Sequence, residues 1–382
     1  MMNKQKLIGD ALAELVGQAR TGGPKVRVGL LAAGSELGTD ELLRGAVLAT
    51  AQDSRLQVVA IGAKVPGYDH LEWIETPDRE ADIAAAMESA LNDGRIGGAV
   101  ALHYPFPLGV TTIGRVLTPA RGEPLLIASS TGMSATSRTE AMLLNAVYGI
   151  AVAKALGIAK PTVGILNLDG AAAVQRALGR LLERGYDVCL GSSVRADGGA
   201  LLRGNDLLAG AVDLCVCDTL TGNVLMKLFS AFNTGGGYEA LGWGYGPSVG
   251  ENWTKIVSII SRASGAPVIA NSLCYTASLI RGKLVHHVQR ELAAAKKAGL
   301  DEVMSSLAPK TESAEEVSAP PPKPTDSEIL GVDVLSIEEA VKALWKTGIY
   351  AESAMGCTGP VVKVPGDSLE RSMEVLKKTG YL

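Results

Sequence analysis

Two stretches of the chain hold residue types that could do chemistry. The first is Ser353-Ala-Met-Gly-Cys357-Thr-Gly-Pro360, where one cysteine stands among small residues. A thiol exposed in such a loop, with backbone N–H groups near it to favour the thiolate, is a competent nucleophile. The second stretch runs from Val212 to Lys227: an apolar, β-branched run that stops at Asp218, passes a polar turn, and resumes with Val224, Leu225 and Leu228 at helical spacing. It reads as strand, loop, helix. In an open α/β sheet such a turn sits on the rim where ligands collect, and it puts Asp218, Thr221, Gly222 and Asn223 there. The same residues also suit a plain turn, with Asp218 and Thr221 as caps and Gly222 at the bend.

The other cysteines read differently. Cys215 and Cys217 alternate along the expected strand and share one buried face, while Cys189 at a strand end and Cys274 in an apolar turn are also expected inside. His286, His287 and Lys283 fall on an expected helix and read as solvated surface. No Cys-x-x-Cys, His-Glu-x-x-His or acidic cluster is present, so no metal is expected.

The elements that must position these residues follow from composition and periodicity. A chain of 382 residues with 47% hydrophobic residues, 45 glycines and only 4% aromatics suits an Ala/Gly/Val/Leu-rich α/β protein. Its net charge of -4 offers no basic excess for nucleic acid. The apolar runs are too short or too broken to span a membrane, the start lacks a signal-peptide h-region, and five cysteines suit reduced thiols, which places the chain in the cytoplasm. An amphipathic helix is expected over Lys4–Ala19. Strands are expected at Val26–Leu31, Val58–Ile61, Gly98–Leu102, Pro124–Ile127, Thr162–Leu166, Val188–Leu190 and Val212–Val216, with helices at Asp40–Ala51, Asp82–Leu91, Thr139–Leu156 and Ala172–Leu182 between them. Runs apolar throughout are strands covered on both faces, so the fold class is α/β: a doubly wound, mostly parallel sheet in an α/β/α sandwich.

Residues 1–308 form this core. Residues 309–330, rich in Pro, Ser and Glu, read as a linker, and residues 331–382 as a small α/β extension carrying Cys357. In the extension Ser336-Ile-Glu-Glu339 reads as a capping box, with a helix to Lys346 and Gly348 after it. Pro360–Val364 reads as a strand, and a last helix starts at Asp367-Ser368 and ends near Gly380.

Three segments carry a family resemblance. The run Val26-Arg-Val-Gly-Leu-Leu-Ala-Ala-Gly-Ser-Glu36, the helix from Thr139 continuing into Val163-Gly-Ile-Leu-Asn167, and Asp218-x-x-Thr221-Gly222-Asn223-Val224 are similar, in that order, to segments of the phosphate acyltransferase family of phospholipid synthesis. That resemblance implies an isopropylmalate dehydrogenase-like core, and it covers roughly Val26 to Leu300. The family's usual aspartate is Glu36 here, and two loops differ: Ala101-Leu-His-Tyr-Pro-Phe-Pro107 and Ser129-Ser-Thr-Gly-Met-Ser-Ala-Thr-Ser-Arg138. With its Pro-rich linker and Gly-Cys-Thr-Gly-Pro tail, the whole chain resembles the family of alpha subunits of protein C of the glycine/sarcosine/betaine reductase complex.

The second resemblance implies that Cys357 carries an acetyl group as a thioester. That group derives from a carboxymethyl selenoether on selenoprotein A, and inorganic phosphate then releases it as acetyl phosphate. The implied partners are a protein C beta subunit and selenoprotein A, with phosphate as co-substrate and no other cofactor. Such chemistry needs donors for the carbonyl oxygen and a site for the anion. The cradle expected is the backbone of the Ser129–Ser137 loop, with Ser130, Thr131 and Gly132, and of the Thr221–Asn223 turn, with Arg138 as a cation and His103 as a base. Arg138 also reads as a solvated helix-start arginine, and His103 as a structural donor. Two other functions fit less of the sequence: a free-standing phosphate acyl- or acetyltransferase using acyl-carrier protein or coenzyme A, and a nucleotide-binding module suggested by Ala33-Gly-Ser-Glu-Leu-Gly38, which has neither the Gly-x-Gly-x-x-Gly spacing nor a P-loop lysine.

Overall fold

The computed structural model describes residues 25–196, 198–307, 318–333, 336–356 and 359–382, with Leu12, Val16 and Gly23 as isolated positions before them and side chains given except at 355–360. The helix expected over Lys4–Ala19 lies outside the described residues. The chain divides into two compact units, Met1–Ala308 and Pro309–Leu382.

The first unit is built on a 12-stranded sheet. In chain order its strands are β1 (Val26–Leu31), β2 (Leu56–Gly62), β3 (Glu72–Glu75), β4 (Gly98–Ala101), β5 (Val110–Leu117), β6 (Pro124–Met133), β7 (Thr162–Leu166), β8 (Cys189–Leu190), β9 (Leu201–Leu202), β10 (Leu214–Val216), β11 (Gly246–Gly250) and β12 (Val257–Ile259). The helices are α1 (Thr39–Gln52), α2 (Glu80–Asn92), α3 (Arg138–Ala155), α4 (Ala171–Glu183), α5 (Gly204–Ala209), α6 (Thr219–Ala231), α7 (Ala266–Arg281), α8 (Leu284–Lys297) and α9 (Leu300–Leu307). Each apolar run expected to be a strand overlaps one, namely β1, β2, β4, β6, β7, β8 and β10.

The spatial order is β3-β2-β1-β4-β12-β11-β5-β6-β10-β7-β8, with β9 also on β7. Strands β3, β2, β1, β4 and β12 run one way. Strands β6, β10, β7, β8 and β9 run the other way. Between them β5 and β11 pair antiparallel with each other and with both neighbours, which reverses the polarity. The sheet is therefore mixed, and its two halves carry their strand carboxyl ends at opposite edges.

Both faces are covered, as fully apolar strands require. On one face α1 and α7 bring Leu42, Leu43, Ala46, Ile269 and Leu273 onto Val28, Leu30 and Val58. Further along that face α3, α4 and α8 cover Leu126, Ala128, Val163, Ile165, Leu214 and Val216. On the other face α2 and α6 bring Ile83, Met87, Met226 and Phe229 onto Val59, Ile61, Ile127, Cys215 and Cys217. Cys215 and Cys217 share that face and are fully buried, and burial pushes the Cys215 thiol up to about 12. Two cysteines differ from expectation. Cys189 is exposed, because it opens the two-residue strand β8 at the end of the sheet. Cys274 lies within α7, half-buried, rather than in a turn.

The second unit is a small antiparallel sheet, β13 (Ser327–Ile329), β14 (Glu352–Gly356) and β15 (Gly359–Val364), with helices α10 (Ile337–Lys346) and α11 (Leu369–Thr379). Strand β13 falls inside the stretch read as linker and pairs along β15, Ile329 opposite Val362. Residues 309–317 lie outside the described ones. A core of Ile329, Ile337, Val341, Leu344, Val362, Val364 and Leu376 joins sheet and helices. Ser336 precedes α10 without a side-chain cap, so the expected capping box does not form, while Gly348 takes the left-handed conformation (φ 78) past the helix end. Gly356 and Gly359 stand opposite each other in the β14–β15 ladder. Cys357 itself lies outside the described residues.

Candidate functional site

Strand β10 delivers the Asp218 turn to the edge where β6 also ends. The Cys217 N–H donates to Ala128 O at 2.7 Å, and Asp218 then leaves the strand in an extended conformation to cap α6. Asp218 Oδ1 accepts from the Leu220 and Thr221 N–H groups, each at 3.1 Å, and Oδ2 accepts from the Thr221 hydroxyl at 2.6 Å. The Gly222 N–H donates to Asp218 O at 2.9 Å. The N–H groups of Thr221 and Gly222 are thus committed within the turn, which narrows the expected cradle. Gly222 has a different task from bending the chain: a Cβ there would lie 1.7 Å from Ser129 O, so its missing side chain lets α6 press against the end of β6. One residue on, Asn223 Nδ2 donates to Ser130 O at 3.1 Å and ties the helix to the same loop.

The end of β6 is held by hydroxyls. Thr111 donates to Ser129 Oγ at 2.5 Å, Ser129 and Thr219 share a bond at 3.1 Å, Thr112 and Ser130 share one at 2.8 Å, and the Ser130 hydroxyl donates to Tyr245 O at 2.6 Å. Ser129, Ser130, Thr111 and Thr112 are all fully buried. The Ser130 hydroxyl is consequently structural, and the residue offers only its main chain to the outside. Gly132 turns the loop at φ 83, where a Cβ would lie 2.4 Å from Val110 O.

These parts enclose a cleft of about 470 Å³ lined by Ser130, Thr131, Gly132, Arg138, Asp218 and Asn223, together with Met133, Thr136, Ala141, Thr219 and Leu220. Helix α3 begins at Arg138 behind Ser137, which makes no side-chain cap, and α6 begins at Thr219, so two helix N-termini open on one cleft. The N-terminal N–H groups of α3, which no side chain caps, and the dipole of that helix favour an anion, whereas those of α6 are already taken by Asp218. Arg138 adds a guanidinium that is more than half exposed and 3.5 Å from Asp169. Thr221 and Gly222 lie beneath the cleft rather than in its lining. Thr219 was not singled out from sequence, although it stands next to Asp218; its hydroxyl reaches both Ser129 Oγ and, at 3.4 Å, Gly132 O.

The structure does not bring His103 into this group. It follows β4 and lines a separate crevice with Gly34, Glu80 and Arg262 at the other carboxyl edge of the sheet. His286 and His287 lie on α8 as expected; His286 is exposed, and His287 is half-buried, its pKa held below the usual value by burial and by Arg290. Helix α6 departs from its sequence reading in phase. Gly222, Met226 and Phe229 face the core, whereas Leu220 (75% exposed), Val224 (46%), Leu228 (59%) and Phe232 (52%) form an outward apolar row. Met133, beside Leu220 in the cleft lining, extends that row. Among the described residues there is no group of three or more potential metal ligands and no helix long and apolar enough to cross a membrane.

The chain is similar to one family, to two relatives and, in fold, to one solved structure. The family described as fatty acid synthesis protein matches residues 26–363. The glycine/sarcosine/betaine reductase complex component C subunit alpha of Peptoclostridium acidaminophilum is 46% identical over 387 residues, covering 100% of both chains. A phosphate acyltransferase of Thermotoga petrophila is 26% identical over 236 residues, 53% of this chain and 67% of that protein. Among solved structures, a branched-chain phosphotransacylase from Enterococcus faecalis aligns with a TM-score of 0.48 at 16% identity, covering 67% of this chain and 99% of that chain.

Proposed function

The chain belongs to the fatty acid synthesis protein family, as an acyltransferase-type subunit related to the component C alpha subunit of glycine/sarcosine/betaine reductase, and on that premise we propose that it forms acetyl phosphate from an acetyl thioester. In this reading Cys357 is the nucleophile. It holds an acetyl group derived from carboxymethyl-selenocysteine of selenoprotein A, the two electrons coming from the selenium as a second thiol takes it up as a selenenyl sulfide and the carboxylate loses one oxygen as hydroxide. A phosphate oxygen then attacks the thioester carbonyl, forming the C–O bond as the thiolate leaves. The observation that carries the reading is the cleft onto which the uncapped N-terminus of α3 opens beside Arg138 and Asn223, which supports phosphate binding in the core unit. Thr131, Gly132, Arg138 and Asn223 are the proposed phosphate contacts. Asp218, Thr221 and Gly222 hold the turn that positions Asn223, and Ser130 holds the loop. His103 is left out of this site. No cofactor or metal is invoked beyond inorganic phosphate.

The apolar row Leu220, Val224, Leu228 and Phe232 supports a protein partner on this face, which we take to be a protein C beta subunit. The chain is proposed to act in such a complex, with selenoprotein A as its donor.

The test is Cys357→Ser in a Cys189→Ser background, since the exposed Cys189 would otherwise compete for reagents. A serine ester is a poor target for phosphate, so acetyl phosphate formation by the assembled complex should fall by a factor of roughly a thousand or more. Acetyl phosphate added to the parent protein should place an acetyl group on the tail peptide, read by mass spectrometry. Full activity in the serine variant with no acetylated tail would overturn the reading in favour of a free-standing phosphate acyltransferase that uses acyl-carrier protein or coenzyme A.

A further inference from the structure

The half of the sheet that the proposed function does not use has a ligand-sized crevice of its own. Chain order reverses at β1, with β2 and β3 on one side of it and β4 on the other, so the loops after β1 and β4 diverge at their carboxyl ends. Open α/β sheets bind ligands at such a reversal. The space here is about 390 Å³, walled by Leu31, Ile83, Ala84, Met87 and Leu102. That volume lies within the range of about 300 to 1,000 Å³ usual for small-molecule sites.

Two opposite charges stand at its mouth. Glu80 begins α2, and Arg262 follows β12, its carbonyl held by the Glu36 N–H at 2.8 Å and the Ser35 hydroxyl at 3.4 Å. Neither side chain has an ion-pair partner among the described residues, and they do not pair with each other. The remaining acid, Glu88, is answered by Lys255 and the Tyr104 hydroxyl. The crevice therefore presents one unanswered anion, one unanswered cation and an apolar wall. Both side chains are solvent-exposed, so a ligand gains by pairing with them: a zwitterion with an apolar stem can pair with both, an apolar acid or amine with one, and a purely apolar ligand with neither. Glu80 and Asp82 in the first turn of α2 disfavour a polyanion such as a dinucleotide.

We infer that this crevice binds an apolar α-amino acid of about leucine size, its carboxylate on Arg262, its ammonium on Glu80 and its side chain against Ile83, Ala84 and Met87. The inference does not depend on how the Asp218 cleft works. Calorimetric titration of the full chain with L-leucine should give saturable binding at one site. Isocaproate, which lacks the ammonium, and isoamylamine, which lacks the carboxylate, should each bind at least about tenfold more weakly. Glu80→Gln and Arg262→Gln should each weaken leucine by a similar factor, and Ala84→Trp, which fills the cavity, should abolish binding. Should the tryptophan variant fail to fold, Ala84→Leu gives the same test with a smaller group. Asn223→Ala, at the opposite edge, should bind leucine as the parent does. Absence of saturable heat at millimolar leucine, isocaproate binding as tightly as leucine, or loss of binding in Asn223→Ala but not in Ala84→Trp or Ala84→Leu would each overturn the inference.

Discussion

The two carboxyl edges of the sheet solve the problem of an open strand end in opposite ways. At the β6–β10 edge the hydroxyls of Thr111, Thr112, Ser129 and Ser130 are buried and bonded to one another or to main chain, and Asp218 is committed to three donors. What that edge turns outward is its backbone together with Thr131, Asn223 and Arg138. At the β1–β4 edge the wall is aliphatic and the charges Glu80 and Arg262 are unanswered. An edge locked by its own hydrogen bonds suits chemistry, where donors must already be in place before charge develops. An edge with unmet charges over an apolar wall suits reversible binding.

The contrast predicts different costs for similar substitutions. Gly222→Ala should have the largest effect, because its methyl would overlap Ser129 O, a backbone atom that cannot yield. A loss of about 4 kcal/mol or outright misfolding is expected, measured by denaturant unfolding. At the other edge Gly34 has φ 88 and meets only the Glu80 Oε1 atom, at an ordinary contact distance of 3.8 Å from its Cβ position, so Gly34→Ala should cost only the left-handed strain of about 1 to 2 kcal/mol. Equal losses at the two positions would erase the distinction between a jammed edge and an open one.

Asn223→Ala comes next. It should leave the melting temperature nearly unchanged and lower arsenate-dependent hydrolysis of acetyl phosphate about tenfold. Unchanged activity would reduce Asn223 to a tie between α6 and the Ser130 carbonyl. Asp218→Ala removes a helix cap and should cost about 1 kcal/mol, read as a shift in the denaturation midpoint at constant slope.

The smallest expected effect is kinetic. Thiolate is the form that reacts, and burial raises thiol pKa values, so iodoacetamide at pH 8 should label the exposed Cys189 while Cys215 and Cys217, beneath the locked edge, stay unmodified. Cys274, pushed up to about 11 chiefly by burial, should react slowly at pH 8 and faster as pH rises toward 11. Labelling of Cys215 in native protein would show that the β10 edge opens.

Much of the fold was legible because its parallel strands are continuous apolar runs. Val26–Leu31, Thr162–Leu166 and Leu214–Val216 needed no tertiary information to be seen. Strand β11, Gly246-Pro-Ser-Val-Gly250, was not legible, since Gly, Pro and Ser argue for a loop. Only the fold explains it: a Cβ at Gly246 would lie 1.7 Å from Ile113 O, so glycine is what lets β11 lie against β5. Missing β5 and β11 meant missing the reversal of polarity, and with it the separation of His103 from Asn223. Helix α7 hid for another reason. Its start, Ser264-Gly-Ala-Pro267, reads as a turn, and Asn271, Ser272, Cys274 and Tyr275 are weak helix formers. At the candidate site the pattern Asp218-x-x-Thr221-Gly222-Asn223 announced the turn. It could not show that Thr221 and Gly222 serve the cap and the packing while Thr219 and Asn223 face the cleft.

The outer strands of the large sheet bear on how the protein behaves at cellular concentration. A sheet of 12 strands ends at β3, four residues long with Glu72 and Glu75 at its tips, and at β8, two residues long. Long, flat borders recruit further chains into growing ribbons, whereas short or acidic ones offer too few free N–H and C=O groups to template an added strand. The breadth of the large sheet is thus decoupled from any tendency to grow by strand addition at its own borders.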